Sequence, residues 1–238
     1  MLPLSDPHSL LAGPSPTEPA NTDPSLMLAA WLVEAGAGVD DCQPRLLRLP
    51  NGHLMPLPVA RWTGPVDDGD ETLLSRATGS VLDVGCGPGR LTVALHERGR
   101  TVLGLELAEQ VPVLARAAGA PVAVGDVFGE VPGAGCWDSV LLADGNVGIG
   151  GDPVRLLRRA GELAAPGGRI LCELHPGTDP GPGLVRLESL SRTSAWFRWG
   201  LLGKGTLLAA SAAAGLRVRE TWSSHGRDFA ALAVAARS

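Results

Sequence analysis

The chain has 238 residues, 45% of them hydrophobic and 19% charged, with a formal net charge of −5. That length suits one α/β domain with an embellishment, and the acidic balance gives no general pull towards nucleic acid or an acidic membrane face. The cysteines Cys42, Cys86, Cys136 and Cys172 form no C-x-x-C pair and no zinc-ligand spacing with histidine, so no metal site is expected and a reducing cytoplasm is the plain expectation.

Residues 1–25 hold six prolines among Ser, Thr and Asp. Such a segment buries too little apolar surface to order itself and reads as a flexible tail without signal-peptide character. No apolar stretch is long enough to span a bilayer. Residues 26–78 read as a small N-terminal cap. Leu26–Glu34 is a short helix stopped by Gly36 and Gly38. Arg45–Leu49 and Leu54–Val59 flank Pro50-Asn51-Gly52-His53, a hairpin signal, and Pro56 and Pro58 confine the second run to a sheet edge. The acids Asp67 to Glu71 precede a predicted helix, Thr72–Ala77, whose dipole they favour.

From Ser80 the pattern alternates strand and helix, which predicts a doubly wound, mostly parallel sheet. Val81–Val84 is an apolar strand. Three glycines follow at alternate positions, Gly85, Gly87 and Gly89, and then helical apolar spacing over Arg90–Glu97. Strand, glycine turn and helix is the geometry of a nucleotide-type cofactor site. A dinucleotide fold would place its third glycine at position 90, which is Arg. Asp83, two residues before the first glycine, would repel a pyrophosphate and attract a cation such as an amino group or a sulfonium.

The stretch Asp83 to Gly89 resembles motif I, D-x-G-x-G-x-G, of the class I S-adenosylmethionine-dependent methyltransferases. The resemblance extends over residues 80–238 in element order. It implies a seven-stranded α/β sheet closed by an antiparallel hairpin, S-adenosylmethionine as cofactor, and methyl transfer to a small organic acceptor, with no nucleic-acid or membrane partner. On this reading Asp83, Gly85, Cys86, Gly87 and Gly89 hold the methionine end of the cofactor.

The remaining elements follow in order. Strand Thr101–Glu106 ends in an acid able to accept hydrogen bonds from both ribose hydroxyls; Glu106 and Leu107 are therefore cofactor candidates. A helix is expected over Glu109–Ala118, with Pro112 in its first turn. Strand Pro121–Val124 leads to Asp126 and Val127. In the family resembled, an acid here accepts the adenine amino group and the next backbone N–H reaches the ring; an Asx-turn is the alternative. Strand Trp137–Ala143 runs into the glycine-rich stretch Asp144 to Gly151, where Asp144 and Asn146 are candidates to orient the acceptor or touch the methionine moiety. A helix over Pro153–Ala164 is capped by Asp152. Pro166-Gly167-Gly168 turns into strand Arg169–Leu174, followed by His175, the candidate general base.

Residues 176–204 read as an insertion, hairpin-like over Leu184–Leu190 and Thr193–Trp199. Its aromatics Trp196, Phe197 and Trp199 suit a flat acceptor or a water-excluding lid, with core packing as the competing account. A helix over Gly205–Ala214 and strands Arg217–Trp222 and Asp228–Ala235 complete the sheet. Three other readings stay open: a nicotinamide-dependent oxidoreductase, an aminopropyl transferase on the same fold, and a non-catalytic nucleoside-binding or scaffold module.

Overall fold

A computed structural model describes residues 22–38, 43–176 and 183–234. Most of the tail and Ala235 lie outside them. Helix α1 (Pro24–Gly36) starts where the flexible tail was expected to end. Asp23 caps it, accepting the Ser25 N–H at 2.8 Å, and Pro24 sits where no intrahelical N–H is needed.

The hairpin forms as β1 (Leu46–Arg48) and β2 (Leu54–Pro56), with Gly52 at φ +82° in the turn. A short helix not anticipated from the sequence, α2 (Val59–Thr63), follows Pro58. Helix α3 is Asp68–Leu74, so the acids fill its first turn instead of preceding it. Asp67 and Asp70 form a reciprocal capping box that sets this earlier start.

The main elements then run β3 (Val81–Val84), α4 (Arg90–Glu97), β4 (Val102–Glu106), α5 (Val113–Ala117), β5 (Val122–Val124), β6 (Trp137–Leu142), α6 (Pro153–Leu163) and β7 (Ala164–Leu174). Helix α5 is shorter than expected. Pro112 stands outside it, at φ −77° and ψ 53°, so the helix begins at Val113, four residues after the expected start. A 3₁₀ segment over Asn146–Gly151 replaces the expected loop. Strand β7 starts earlier than expected: Trp137 pairs with Ala164 and Ser139 with Arg169, so Pro166-Gly167-Gly168 bulges out inside the strand.

The chain closes with β8 (Gly183–Glu188), β9 (Phe197–Trp199), α7 (Lys204–Ala213), β10 (Leu216–Ser224) and β11 (Arg227–Val234). The seven-stranded sheet has the order β10-β11-β7-β6-β3-β4-β5, parallel except for β11 and β10. His225 and Gly226, both at positive φ, make the tight turn between these last two. After β5 the chain crosses back to the other side of β3, so the carboxyl ends of β3 and β6 flank a topological switch point, where open α/β sheets bind ligands.

Alternate residues of β3 feed opposite faces. Leu82 and Val84 join the core beneath α6 and α7, and Val81 joins the core beneath α3 and α4. The cap and the insertion, read separately from the sequence, form one antiparallel sheet of order β2-β1-β8-β9. β1 is the hinge of that assembly, pairing Leu47 with Met55 on one side and Leu187 on the other. Met27, Trp31, Leu47, Val185 and Leu187 close a third core beneath it.

Candidate functional site

A cavity of about 580 Å³ lies over the carboxyl ends of β3, β4, β6 and β7. The cap and insertion roof it through α1, α2 and β9. Every site residue predicted from the sequence lines this cavity except Gly89. At Gly89, with φ +104°, a Cβ would stand 2.4 Å from that of Ala115, so this glycine permits α5 to approach and faces away from the cavity.

The first two glycines of the turn have different surroundings. A Cβ on Gly85 would press on Asn146 at 2.9 Å and Ile149 at 3.0 Å. One on Gly87, at φ +57°, would meet nothing within 4 Å, so the backbone there borders open cavity. The Gly85 and Cys86 N–H groups donate to the Leu105 carbonyl at 2.8 and 3.1 Å, which ties the turn to β4. Glu106, at the end of β4, accepts the Gly87 N–H at 3.0 Å and the Ala108 N–H at 3.1 Å. Its neighbour Leu107 is exposed on the cavity rim.

Asp83 is almost fully buried and accepts the Thr92 hydroxyl at 2.7 Å. Burial pushes its carboxyl up to about 7; the Thr92 hydrogen bond opposes this, and the nearby charges of Asp144 and Glu106 reinforce it. Burial also raises the Cys86 thiol far above its ordinary range, so Cys86 stays protonated and inert. Asp126 accepts the Phe128 N–H at 2.9 Å in an Asx-turn and remains exposed to the cavity. Val127 is buried, and its carbonyl accepts from Arg159 at 2.8 Å.

Asp144 and Asn146 both line the cavity, and both are held by contacts within the protein. Asp144 adopts φ +55° and is held from both sides: Arg90 reaches one oxygen at 2.6 Å and Arg61 the other at 3.0 Å. Burial raises its pKa, Arg90 opposes the rise and Glu173 adds to it. Asn146 turns its amide nitrogen to the carbonyls of Val84 and Gly85, at 2.9 and 2.8 Å, and so braces the glycine turn. His175 lines the cavity and is fixed through its backbone, whose N–H donates to the Leu202 carbonyl at 2.8 Å.

Around Asp144 lies an ionic cluster that the sequence reading did not assemble. Arg227 grips Glu173 with two hydrogen bonds, at 2.9 and 2.8 Å, and reaches Asp67 and Asp70 at 2.9 Å each. Arg90 bridges Asp70 and Asp144. Arg61, from the cap, joins Asp144 to Glu173, the latter at 3.5 Å. Burial works against the Glu173 charge, but the Arg227 hydrogen bonds and charge hold its pKa below the ordinary value. A legible trace of the cluster was a charged residue inside an apolar strand: Glu173 between Cys172 and Leu174. The partners, up to 160 residues apart, had no sequence signal.

Of the three insertion aromatics, Phe197 and Trp199 line the cavity and meet edge to face at 6.1 Å. Trp196 stands outside, half exposed beneath Arg186.

A family described as a methyltransferase domain matches residues 66–203, more than half of the chain. No curated protein matches the sequence. Among solved structures, an S-adenosylmethionine-dependent methyltransferase from Bacteroides fragilis, in complex with S-adenosyl-L-homocysteine, superposes with a TM-score of 0.73 at 22% identity, over 91% of this chain and 97% of that one. The 1,6-didemethyltoxoflavin-N1-methyltransferase of Burkholderia thailandensis, with bound 1,6-didemethyltoxoflavin and S-adenosylhomocysteine, gives 0.59 at 18% identity, over 99% and 93%. The CcbJ methyltransferase of Streptomyces caelestis gives 0.57 at 21% identity, over 74% and 92%. At these identities the likeness is one of fold.

Proposed function

Because the chain belongs to the methyltransferase domain family, we propose that it transfers a methyl group from S-adenosylmethionine to a small organic acceptor. The observation that carries this reading is the acidic, side-chain-free side of the cavity. Gly87 leaves open space beside the backbone, and Asp83, Glu106 and Asp126 surround it with carboxylates. Ionised carboxylates only accept hydrogen bonds. The set therefore fits a ligand rich in donors: an ammonium group, two ribose hydroxyls and an adenine amino group. The cavity volume lies within the range of small-molecule sites, with room for a second molecule of modest size.

Glu106 would take the ribose hydroxyls, Asp126 and the Val127 N–H the adenine, and Asp83 the ammonium end. Asn146 contributes indirectly, by fixing the carbonyls of Val84 and Gly85. When bound, S-adenosylmethionine supplies a methyl already activated on a positively charged sulfur. The protein's own share is alignment, exclusion of water and, where the acceptor requires it, removal of a proton. The cap and insertion exclude water through the apolar roof of Leu28, Leu32, Met55, Phe197 and Trp199. His175 is the proton acceptor on this reading. The small molecule bound by the Burkholderia enzyme supports a small acceptor here.

The competing readings lose ground at particular residues. Arg90, where a dinucleotide site would want glycine, is spent on Asp70 and Asp144. Asp144, the acid available to an aminopropyl transferase for a polyamine, is already paired with two arginines. The test is incubation with methyl-labelled S-adenosylmethionine and fractionated small-molecule extracts. Label should enter a small product with wild-type protein and fall sharply with His175→Gln. Tight cofactor binding with no labelled product from any fraction would favour the binding-module reading.

A further inference from the structure

The cavity has two chemically opposite halves. The half around the glycine turn offers carboxylates. The half beneath α2 is lined by residues that carry donors with nothing to donate to. Among the described residues, three on the cavity wall carry a buried side-chain N–H without a hydrogen-bond partner: Arg61 at Nε, Trp62 at Nε1 and Arg90 at Nε. Each has given up its hydrogen bond to water without gaining another. Their gathering on one wall calls for a ligand group that accepts hydrogen bonds.

Of the three guanidinium groups in the ionic cluster, Arg61 alone has both capacity and access. Arg227 commits all three of its nitrogens. Arg90 is 3% exposed and commits both terminal nitrogens to Asp70 and Asp144. Arg61 bonds through Nη2 alone, and its side chain is 24% exposed on the cavity. The charge balance also admits an anion. Asp70, Asp144 and Glu173 offset Arg61, Arg90 and Arg227, while Asp67 is 41% exposed and screened by solvent. With Asp83 offset by the ammonium end of the cofactor on the reading above, an anion at Arg61 meets a cluster whose buried charges cancel.

Building on the methyl-transfer reading, we propose that the acceptor is an apolar molecule bearing a carboxylate or another anionic oxygen group, anchored by Arg61 and Trp62 of the cap helix. The Nε and Nη1 groups of Arg61 can each donate to an anionic oxygen, and an indole N–H adds one more donor. Both unmet atoms are closed to solvent in the free chain, so on this proposal binding requires these side chains to turn towards the cavity. Arg61 acts as a specificity-determining residue and exchanges no proton. The apolar walls, Leu57, Phe197 and Trp199 among them, take the rest of the molecule.

The test uses the ¹⁵N-labelled full chain titrated with salicylate and, separately, salicylamide, each with and without S-adenosylhomocysteine. The readout is the indole N–H resonance of Trp62, assigned with Trp62→Phe. Salicylate should shift it saturably, and salicylamide should bind about tenfold more weakly, the equivalent of one charge-assisted hydrogen bond. Arg61→Gln should erase that preference while leaving S-adenosylhomocysteine affinity, measured by calorimetry, within about twofold. Arg61→Lys keeps the charge beside Asp144 and Glu173, so it guards against simple misfolding; it should fold and still lose most of the preference. An unmoved indole resonance, equal binding of acid and amide, or a preference that survives Arg61→Gln would overturn the proposal. Failure of the wild-type chain to bind S-adenosylhomocysteine would instead overturn the methyl-transfer reading, and the titration without it would still decide the role of Arg61.

Discussion

Thr92 donates its hydroxyl proton to the buried carboxylate of Asp83 at 2.7 Å, one turn into the helix that follows the glycine loop. Burial has pushed this acid up to about 7. The carboxyl ahead of the glycine turn thus titrates in the working pH range, with a consequence for both binding and stability.

If ionised Asp83 receives the ammonium end of the cofactor, affinity should rise with pH by about tenfold per unit below pH 7 and level off above it. Calorimetric titrations from pH 5.5 to 8.5 check this, and a flat profile would remove Asp83 from the site. The stability of the free protein moves the other way. The folded-state pKa lies above the unfolded value of 3.8, so the folded chain holds the proton more tightly. The corresponding stability is complete below pH 4 and lost as pH rises through 7, a difference on the order of 2–4 kcal/mol. Asp83→Asn should flatten this dependence in urea unfolding and weaken cofactor binding.

Two glycines of one turn should fail in different ways. Gly87→Val projects a side chain into open cavity and should abolish cofactor binding, with a smaller loss of stability from its positive φ. Gly89→Val drives a side chain into Ala115, where even a Cβ would stand at 2.4 Å, and should chiefly destabilise the fold, by about 2 kcal/mol or more. Paired calorimetry and thermal unfolding separate the two outcomes.

Asn146→Ala removes both donors that hold the Val84 and Gly85 carbonyls. Freed from that brace, the glycine turn should bind cofactor about tenfold more weakly, with a stability loss of about 1–2 kcal/mol. Asn146→Asp should be worse, because it points a carboxylate at two carbonyl oxygens.

Arg227→Met should be the most damaging change in the ionic cluster. It takes both guanidinium hydrogen bonds from Glu173, leaving it Arg61 at 3.5 Å and the Asp144 N–H at 2.8 Å, and takes one partner from the fully buried Asp70, at a cost on the order of 3–5 kcal/mol. Chemical denaturation measures it. Because Asp144 shares this cluster, cofactor affinity should fall less than stability does.

What the sequence disclosed was whatever rests on local spacing. Val81–Val84, the alternate glycines and Arg90–Glu97 stand where the apolar periodicity placed them, because strand and helix there differ plainly in period. The cap strands were equally visible around Asn51-Gly52. Their partner was not: Leu47 pairs with Leu187 across 140 residues, and no turn signal links the two. The helix expected from Glu109 starts four residues later, at Val113, since proline at 112 suits both a first turn and the residue before it. The glycine turn was readable as a site because its chemistry is contiguous. The ionic cluster was not, since Arg61, Asp70, Arg90, Asp144, Glu173 and Arg227 come together only through the fold. Asp144 and Asn146 line the cavity, and their contacts turn inward to arginines and to backbone carbonyls.

The central claim is that the cavity beside Gly87 receives S-adenosylmethionine. Calorimetric titration of the full chain with S-adenosylmethionine, in parallel with the Gly87→Val variant, tests it most directly. The account predicts saturable one-site binding by the wild-type protein and none by the variant. Equal binding by both proteins, or no heat from the wild type while the chain is folded, would contradict it.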